Sequence, residues 1–390
     1  MAYVKMDENM EKPFKHYITV WKDGHLLPGR KLAKPPNPKI SLIIPMYNEE
    51  KNILHCIRSI QNQNLQEIEI VCVNDNSNDK TLSILKDLQK EDPRIEIITN
   101  KTNRGVIYNR IYGAMQSKGE YVTFIDADDG LCNIDILNKS YNIATNKYNE
   151  KIDIVHYQTC ACTIKENGEM DPFVIFFTFN PNNFDQIIRQ PEIGDNYMQK
   201  KKNVTGSGLV FDKIYTRDLI LRVADYLGPQ IWNQNLIYVD DFLLCFACMK
   251  MAKSIVNIGE IGYWHFLDQA TSTTSNVFEI DGDRLKNPEK TNKKLGDYMI
   301  ILERILQLTD NEPGTLEFRE DIIKGLLKEE YLPTFARSVH FDKLISLFDK
   351  LYRWKHTDLE CKKRIQSYVK LILKYKVEPE KKYAHILNLK

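Results

Sequence analysis

Between Ile40 and Ile125, short apolar runs alternate with segments of helical period, and this alternation limits the fold more than any other feature of the chain. Ile40–Pro45 (ISLIIP), Ile68–Val73 (IEIVCV), Ile95–Thr99 (IEIIT) and Tyr121–Ile125 (YVTFI) have strand length and β-branched composition. Glu50–Gln61 places Ile53, Leu54, Ile57 and Ile60 at helical spacing, Asp79–Gln89 does the same with Leu82, Leu85 and Leu88, and Val106–Ser117 reads as a third helix. Strand and helix in strict turn imply parallel strands joined by helical crossovers, with helices covering both faces of the sheet. Ligands of such sheets bind beyond the carboxyl ends of the strands. Polar clusters follow the strands at that edge: Tyr47-Asn48-Glu49-Glu50, Asn74-Asp75-Asn76-Ser77 and Asp126-Ala127-Asp128-Asp129.

The rest of the chain is less regular. Residues 1–38 end in Lys34-Pro35-Pro36-Asn37-Pro38 and read as an extension and linker, since these prolines cannot feed a sheet ladder. Strands are expected over Asp153–Gln158, Val174–Thr178 and Ser254–Ile258, and a helix over Asp240–Ala252. After about residue 285 the pattern is mainly helical: Asp297–Leu308, Leu316–Leu327, Phe341–Trp354 and Glu360–Tyr375. The organisation read from this is an extension over 1–38, an α/β domain over 39–280 and a helical region over 285–390. Within the α/β domain, the regular alternation occupies 39–130 and the irregular part 131–280.

Composition narrows the function classes. Lys+Arg number 54 against 53 Asp+Glu, a net charge of +1, so this is no basic protein built for nucleic acid. The local exception is 350–390, a basic stretch that suits either a solvated helical surface or peripheral contact with an anionic membrane. The first residues carry no apolar signal core and no apolar run reaches membrane-spanning length, so the expected location is cytoplasmic, either free or peripheral on the cytosolic face of a membrane. The eight cysteines fall mostly in apolar runs and match no zinc spacing.

The chemistry concentrates at Asp126-Ala127-Asp128, delivered by the strand Tyr121–Ile125. Paired hard carboxylates suit Mg²⁺ or Mn²⁺, which leave coordination positions for phosphate oxygens. A plain turn with acids capping the next helix is the bland alternative.

The ordered set ISLIIPMYNEEKNILHCIRSIQNQ, IEIVCVNDNSNDKTLSIL and NRGVIYNRIYGAMQSKGEYVTFIDADD resembles the nucleotide-binding half of family 2 glycosyltransferases of the GT-A fold. The resemblance continues weakly through Asp212-Lys-Ile-Tyr215 and VDDFLLCFACMKMAKSIVNIGEIGYWHF, about residues 40–275 in all. It implies an inverting, metal-dependent transfer of a sugar from a nucleotide diphosphate, with a UDP-sugar favoured, to a hydroxyl of a glycan, lipid-linked or protein acceptor. It carries donor roles onto Pro45, Tyr47, Glu50, Asp75, Arg110 and Asp126, and metal roles onto Asp126, Asp128 and His265. Asp241, in Val239-Asp240-Asp241, takes the place of the general base, with the neighbouring Asp240 as helix cap or the reverse. Where the family pattern is V-D-D-G-S, this chain has Val73-Asn74-Asp75-Asn76-Ser77; Asn tolerates a left-handed backbone, so the turn survives. Tyr263 and Trp264 fit either acceptor stacking or the core. A sugar nucleotidyltransferase is disfavoured because the first strand is followed by Pro45-Met-Tyr-Asn48 without glycine, and a degenerate nucleotide-sugar-binding module is the non-enzymatic alternative.

Overall fold

A computed structural model describes residues 2–4, 25–30, 32–164, 170–177, 184–194, 209–236, 240–266, 280–281, 284–285, 288–324 and 341–373. The chain divides into two units, one built from 1–197, 201–236 and 240–272, the other from 198–200, 237–239 and 273–390.

The first unit is built on one sheet. Strands β2 (Ile40–Met46), β3 (Ile68–Asn74), β4 (Ile95–Thr99) and β5 (Tyr121–Phe124) lie parallel in the order β5-β2-β3-β4, as the alternation predicts. Helices α1 (Ile53–Gln61), α2 (Thr81–Glu91) and α3 (Val106–Gln116) make the crossovers. Every residue of β2 and β3 is buried, which explains why both read as continuous apolar runs instead of alternating ones. Helix α3 lies close on this sheet because Gly113 faces it: a Cβ there would stand 2.5 Å from Ile43 Cγ2 and 3.1 Å from Val73 Cγ2.

Beyond β5 the sheet becomes mixed. A short β6 (Gly130–Leu131) and helix α4 (Ile136–Thr145), neither expected from sequence, precede β7 (Ile154–Ile164) and β8 (Met170–Phe177). Strand β10 (Lys213–Thr216) joins antiparallel between β5 and β7. Helices α5 (Arg217–Leu227), α6 (Pro229–Trp232) and α7 (Asp240–Met251) follow. Strand β11 runs over Ser254–Phe266, far past the expected end at Ile258. It pairs antiparallel with β6 and with a short β9 (Ile187–Arg189), and parallel with β7 through register shifts between Asn257 and Tyr263. The Gly259-Glu260-Ile261-Gly262 interruption that hides the second half of this strand in the sequence is the site of those shifts.

Asp212-Lys-Ile-Tyr215 belongs to the interior of this unit. His156 Nε2 stands 2.9 Å from Asp212 Oδ2, and Lys213 donates to the Leu209 carbonyl at 2.7 Å. Burial works to raise the Asp212 carboxyl, but His156 and Lys213 hold it below the ordinary range.

The second unit contributes α8 (Pro288–Leu308), α9 (Leu316–Lys324), α10 (Phe341–Arg353) and α11 (Leu359–Leu373). Met299, Leu302, Ile305, Leu344, Phe348 and Ile365 fill its interior. Arg364 grips Glu320 through two 2.7 Å bonds, and Lys350, Arg353 and Lys363 pair with Glu303, Asp349 and Glu360. No helix among the described residues is long and apolar enough to cross a membrane. Residues 374–390 of the basic stretch lie outside the described residues.

Gly113→Ala tests the helix–sheet contact. Alanine is the better helix former by about 1 kcal/mol, yet the clash with Ile43 and Val73 should reverse that gain. The urea midpoint should fall by the equivalent of about 1–2 kcal/mol; an unchanged or raised midpoint would show that the contact has slack.

Candidate active site

The loops after β2, β3 and β5 leave the sheet at the same edge, and the candidate residues assemble there. Pro45 is buried in β2 opposite Val73. Tyr47, just past the strand, is 45% exposed, an unusual position for an aromatic ring at a sheet edge. Asn48 and Asn76 both adopt the left-handed backbone, at φ 61° and 65°, so the turn is made without the glycine of the family pattern. The Asn48 N–H donates to Ser77 Oγ at 3.0 Å, and the Asn78 N–H donates to Asn48 Oδ1 at 2.8 Å, which stitches the two loops together.

The two glutamates of the first loop divide. Glu50 is exposed and accepts from the Lys80 N–H at 3.0 Å. Glu49 is the half-buried one and accepts from Asn52 Nδ2 at 2.9 Å. Burial lifts its carboxyl to about 7, against the pull of the Asn52 bond and with the push of Asp126, Asp79 and Asp129. The sequence does not separate these adjacent acids, because only the loop's path decides which one turns inward.

Asp75 is buried and organises the segment that leads into α3. Its Oδ1 accepts from Asn100 Nδ2 and the Arg104 N–H, both at 2.8 Å, and its Oδ2 from the Gly105 N–H at 2.9 Å. Gly105 itself has φ 85°, and a Cβ there would lie 2.9 Å from the Leu236 carbonyl oxygen.

One turn into α3 lies Arg110, whose side chain is 3% exposed. Its Nη2 donates to Asp126 Oδ1 at 2.6 Å, and its Nη1 to Asp241 at the start of α7. A single guanidinium thus joins the first acid of the Asp-Ala-Asp run to the candidate base, residues far apart in sequence. Burial raises the Asp241 carboxyl, with Arg110 opposing and Asp126 adding to the effect. Asp240 begins α7, and its side chain lies outside the described residues.

The acidic run splits by role. Asp126 is partly open and salt-bridged to Arg110. Asp128 has no ion-pair partner among the described residues; burial, with Asp129, Asp126 and Glu49 close by, pushes its carboxyl well up. Asp129 is fully buried and bonded to β11: Tyr263 Oη donates to its Oδ2 at 2.8 Å, His265 Nδ1 lies 3.0 Å from the same oxygen, and the Phe266 N–H donates to its Oδ1 at 2.9 Å. Tyr263 Oη also accepts the Asp126 N–H at 3.1 Å. Tyr263 and Trp264 are core residues, buried too deeply to stack on a ligand. Burial lowers the His265 imidazole, but Asp129, followed by Asp126 and Asp128, brings it up to about 9.

Among the described residues no three His, Cys, Asp or Glu side chains already converge as a metal cage. The donor set still suits a hard divalent ion. Asp126 and Asp128 supply carboxylate oxygens at a point crowded with negative charge, and Mg²⁺ or Mn²⁺ takes most of its remaining ligands from water and phosphate. His265, with Nδ1 against a carboxylate, has the arrangement usual for a ligating imidazole.

Comparison with known proteins identifies the family and the fold. Residues 41–133 match the family described as Glycosyl transferase family 2. An uncharacterized glycosyltransferase of Haemophilus influenzae is 44% identical over 322 residues, covering 80% of this chain and 93% of that protein. The GalNAc(5)-diNAcBac-PP-undecaprenol beta-1,3-glucosyltransferase of Campylobacter jejuni is 42% identical over 95 residues, 24% of this chain, so the chain spans only 31% of that relative. Among solved structures, S. aureus TarS 1–349 in complex with UDP-GlcNAc superposes with a TM-score of 0.55 over 86% of this chain and 89% of that one. At 18% identity this likeness is one of fold.

Asp75→Ala would strand two backbone N–H groups and the Asn100 amide. Stability should drop by about 2–4 kcal/mol, and the Arg104 and Gly105 amides should exchange hydrogen at least about tenfold faster. Unchanged exchange over 100–106 would show that the carboxylate does not hold this segment.

Proposed function

The chain belongs to glycosyl transferase family 2, and we propose that it transfers a sugar from a UDP-sugar to an acceptor hydroxyl by a single inverting displacement. Its fold is of the GT-A type, an α/β domain with a mostly parallel sheet, followed by C-terminal helices. The observation that carries the reading is the Arg110 bridge, which draws the donor-side Asp126 and the candidate base Asp241 into one cluster at the ligand-binding edge of the sheet.

In this reading, the exposed Tyr47 ring and Pro45 receive the nucleoside, with Glu50 at the rim of its pocket. Asp75 Oδ2 accepts one N–H of the protein and retains a lone pair for an N–H of the base, and its match to the base-reading acid of the family pattern favours uracil. The TarS fold, with UDP and with UDP-GlcNAc bound in its crystals, supports the same donor class. Asp241 takes the proton of the attacking hydroxyl, and its raised affinity for protons suits that task. Arg110 holds Asp241 in place and screens it from Asp126. A Mn²⁺ or Mg²⁺ ion held by Asp126, Asp128 and His265 would supply positive charge to the departing diphosphate. The acceptor is a glycan hydroxyl; the Campylobacter relative is named for an undecaprenol-linked one.

Nucleotide release from a panel of UDP- and GDP-sugars, with Mn²⁺, Mg²⁺ or EDTA, tests the donor. One UDP-sugar should be hydrolysed slowly, only with metal, and Asp128→Ala should abolish the release. With an acceptor, Asp241→Asn should lower kcat by about 10²-fold or more while UDP affinity stays within about threefold. If no donor is turned over and nucleotide binds without metal, the chain is a binding module.

Peripheral contact with an anionic bilayer is the second part of the proposal. Lys355, Lys362 and Lys370 have no carboxylate partner among the described residues, unlike Lys350, Arg353, Lys363 and Arg364. Co-sedimentation with phosphatidylglycerol vesicles should exceed that with neutral vesicles and vanish near about 0.5 M salt. Equal sedimentation with both lipids overturns it.

A further inference from the structure

We infer that Asp129, the third acid of the run, is a positioning residue: it fixes the His265 ring with Nδ1 protonated and leaves Nε2 for the donor site. The inference deepens the proposed function and rests on it for what Nε2 meets; the Asp129–His265 contact itself is independent of that reading.

Four observations carry it. Asp129 is fully buried, so its carboxylate is closed to a ligand arriving from solvent. Both its oxygens are committed to β11, with Tyr263 Oη and His265 Nδ1 on Oδ2 and the Phe266 N–H on Oδ1. The Phe266 N–H occupies Oδ1 and the Tyr263 hydroxyl occupies one lone pair of Oδ2, which leaves the other Oδ2 lone pair to accept an Nδ1–H from the ring. The ring is also held on its face: Phe211 stacks on Tyr263 at 4.3 Å and on His265 at 5.5 Å between centroids. Meanwhile His265 remains partly open, at 28% of its side chain, and lies within electrostatic reach of Asp126, Asp128 and Asp241.

The turn and the strand therefore lock each other. The Asp129 N–H donates to the Asp126 carbonyl at 3.0 Å, and Gly130 and Leu131 pair with Trp264 and Tyr263. With Nδ1 spent on Asp129, rotation of the ring about its χ angles would break a buried charge-assisted bond, so Nε2 keeps one direction. Such partners behind a ligating histidine set its tautomer and typically change metal affinity by about 10–100-fold when removed.

The test joins spectroscopy with a double-mutant cycle. In the wild-type protein, ¹H–¹⁵N spectra of the imidazoles should show a protected Nδ1–H proton that disappears in His265→Gln. It should also be lost or shifted in Asp129→Asn. Absence of that proton in the wild type overturns the assignment, even if Asp129→Asn fails to fold. Affinity for Mn²⁺ in the presence of UDP is then measured for wild type, Asp129→Asn, His265→Gln and the double variant. Asp129→Asn should weaken Mn²⁺ by about 10-fold or more, and the double variant should match His265→Gln within about twofold. Multiplying effects, or wild-type affinity in Asp129→Asn, would show that Asp129 does not act through His265. If the wild type binds no Mn²⁺ with UDP, the donor-site reading falls, and the imidazole spectrum alone decides the role of Asp129.

Discussion

The arrangement of the site depends on one buried cation. Arg110 lies on α3, the helix that Gly113 allows close to β2 and β3, and Ile107, Ile111 and Ala114 fix its inner face. From there the guanidinium reaches Asp126 at the end of β5 and Asp241 at the start of α7. Burying a guanidinium is costly unless its charge is matched, and two carboxylates match it. The converse also holds. Without Arg110, Asp126 and Asp241 would face each other alongside Asp128, Asp129 and Glu49 in a poorly solvated space. The ion pairs thus fix where α7 begins relative to the parallel half of the sheet, a relation that no local sequence preference could set.

That distinction explains what the sequence does and does not reveal. Strands β2 to β5 and helices α1 to α3 are legible because each is a local pattern, buried on one stripe or on both faces; β2, β3 and β4 also follow one another in the sheet, and only β5 crosses back to the far side of β2. The rim positions Tyr47, Asp75, Asp126 and Asp128 follow from the same pattern, since each comes directly after a strand. The left-handed turn at Asn76 follows from the glycine that the family pattern has there together with the tolerance of Asn for that backbone. The second half of the unit was less so. Strand β10 inserts between β5 and β7, and β11 pairs with three strands through irregular register, so no stretch of local sequence announces either pairing. Asp129 shows the limit most clearly. It is adjacent to Asp128 and chemically identical to it, yet one faces inward to β11 and the other toward the rim, a difference made by residues more than a hundred positions away.

Five aspartates at one rim pose an electrostatic problem, and four of them find partners. Asp75 is satisfied by two backbone N–H groups and Asn100. Asp126 and Asp241 share Arg110. Asp129 is satisfied by Tyr263, His265 and the Phe266 N–H. Asp128 alone of the five has no such arrangement among the described residues, and it is the carboxyl that burial and its acidic neighbours push well up. Of the five, Asp128 is therefore the one whose charged form its surroundings oppose without any compensating ion-pair partner among the described residues. A folded protein tolerates such a spot at the expense of stability, because a nearby opposite charge would favour the ionised form that burial disfavours. In the proposed reading, a cation arriving at Asp128 would relieve its repulsion from Asp129, Asp126 and Glu49 in one step. The carboxylates that are already paired serve to keep that point fixed: Asp129 through its bonds to β11, Asp126 through Arg110. The stability of the rim and its affinity for positive charge are two results of one distribution of partners.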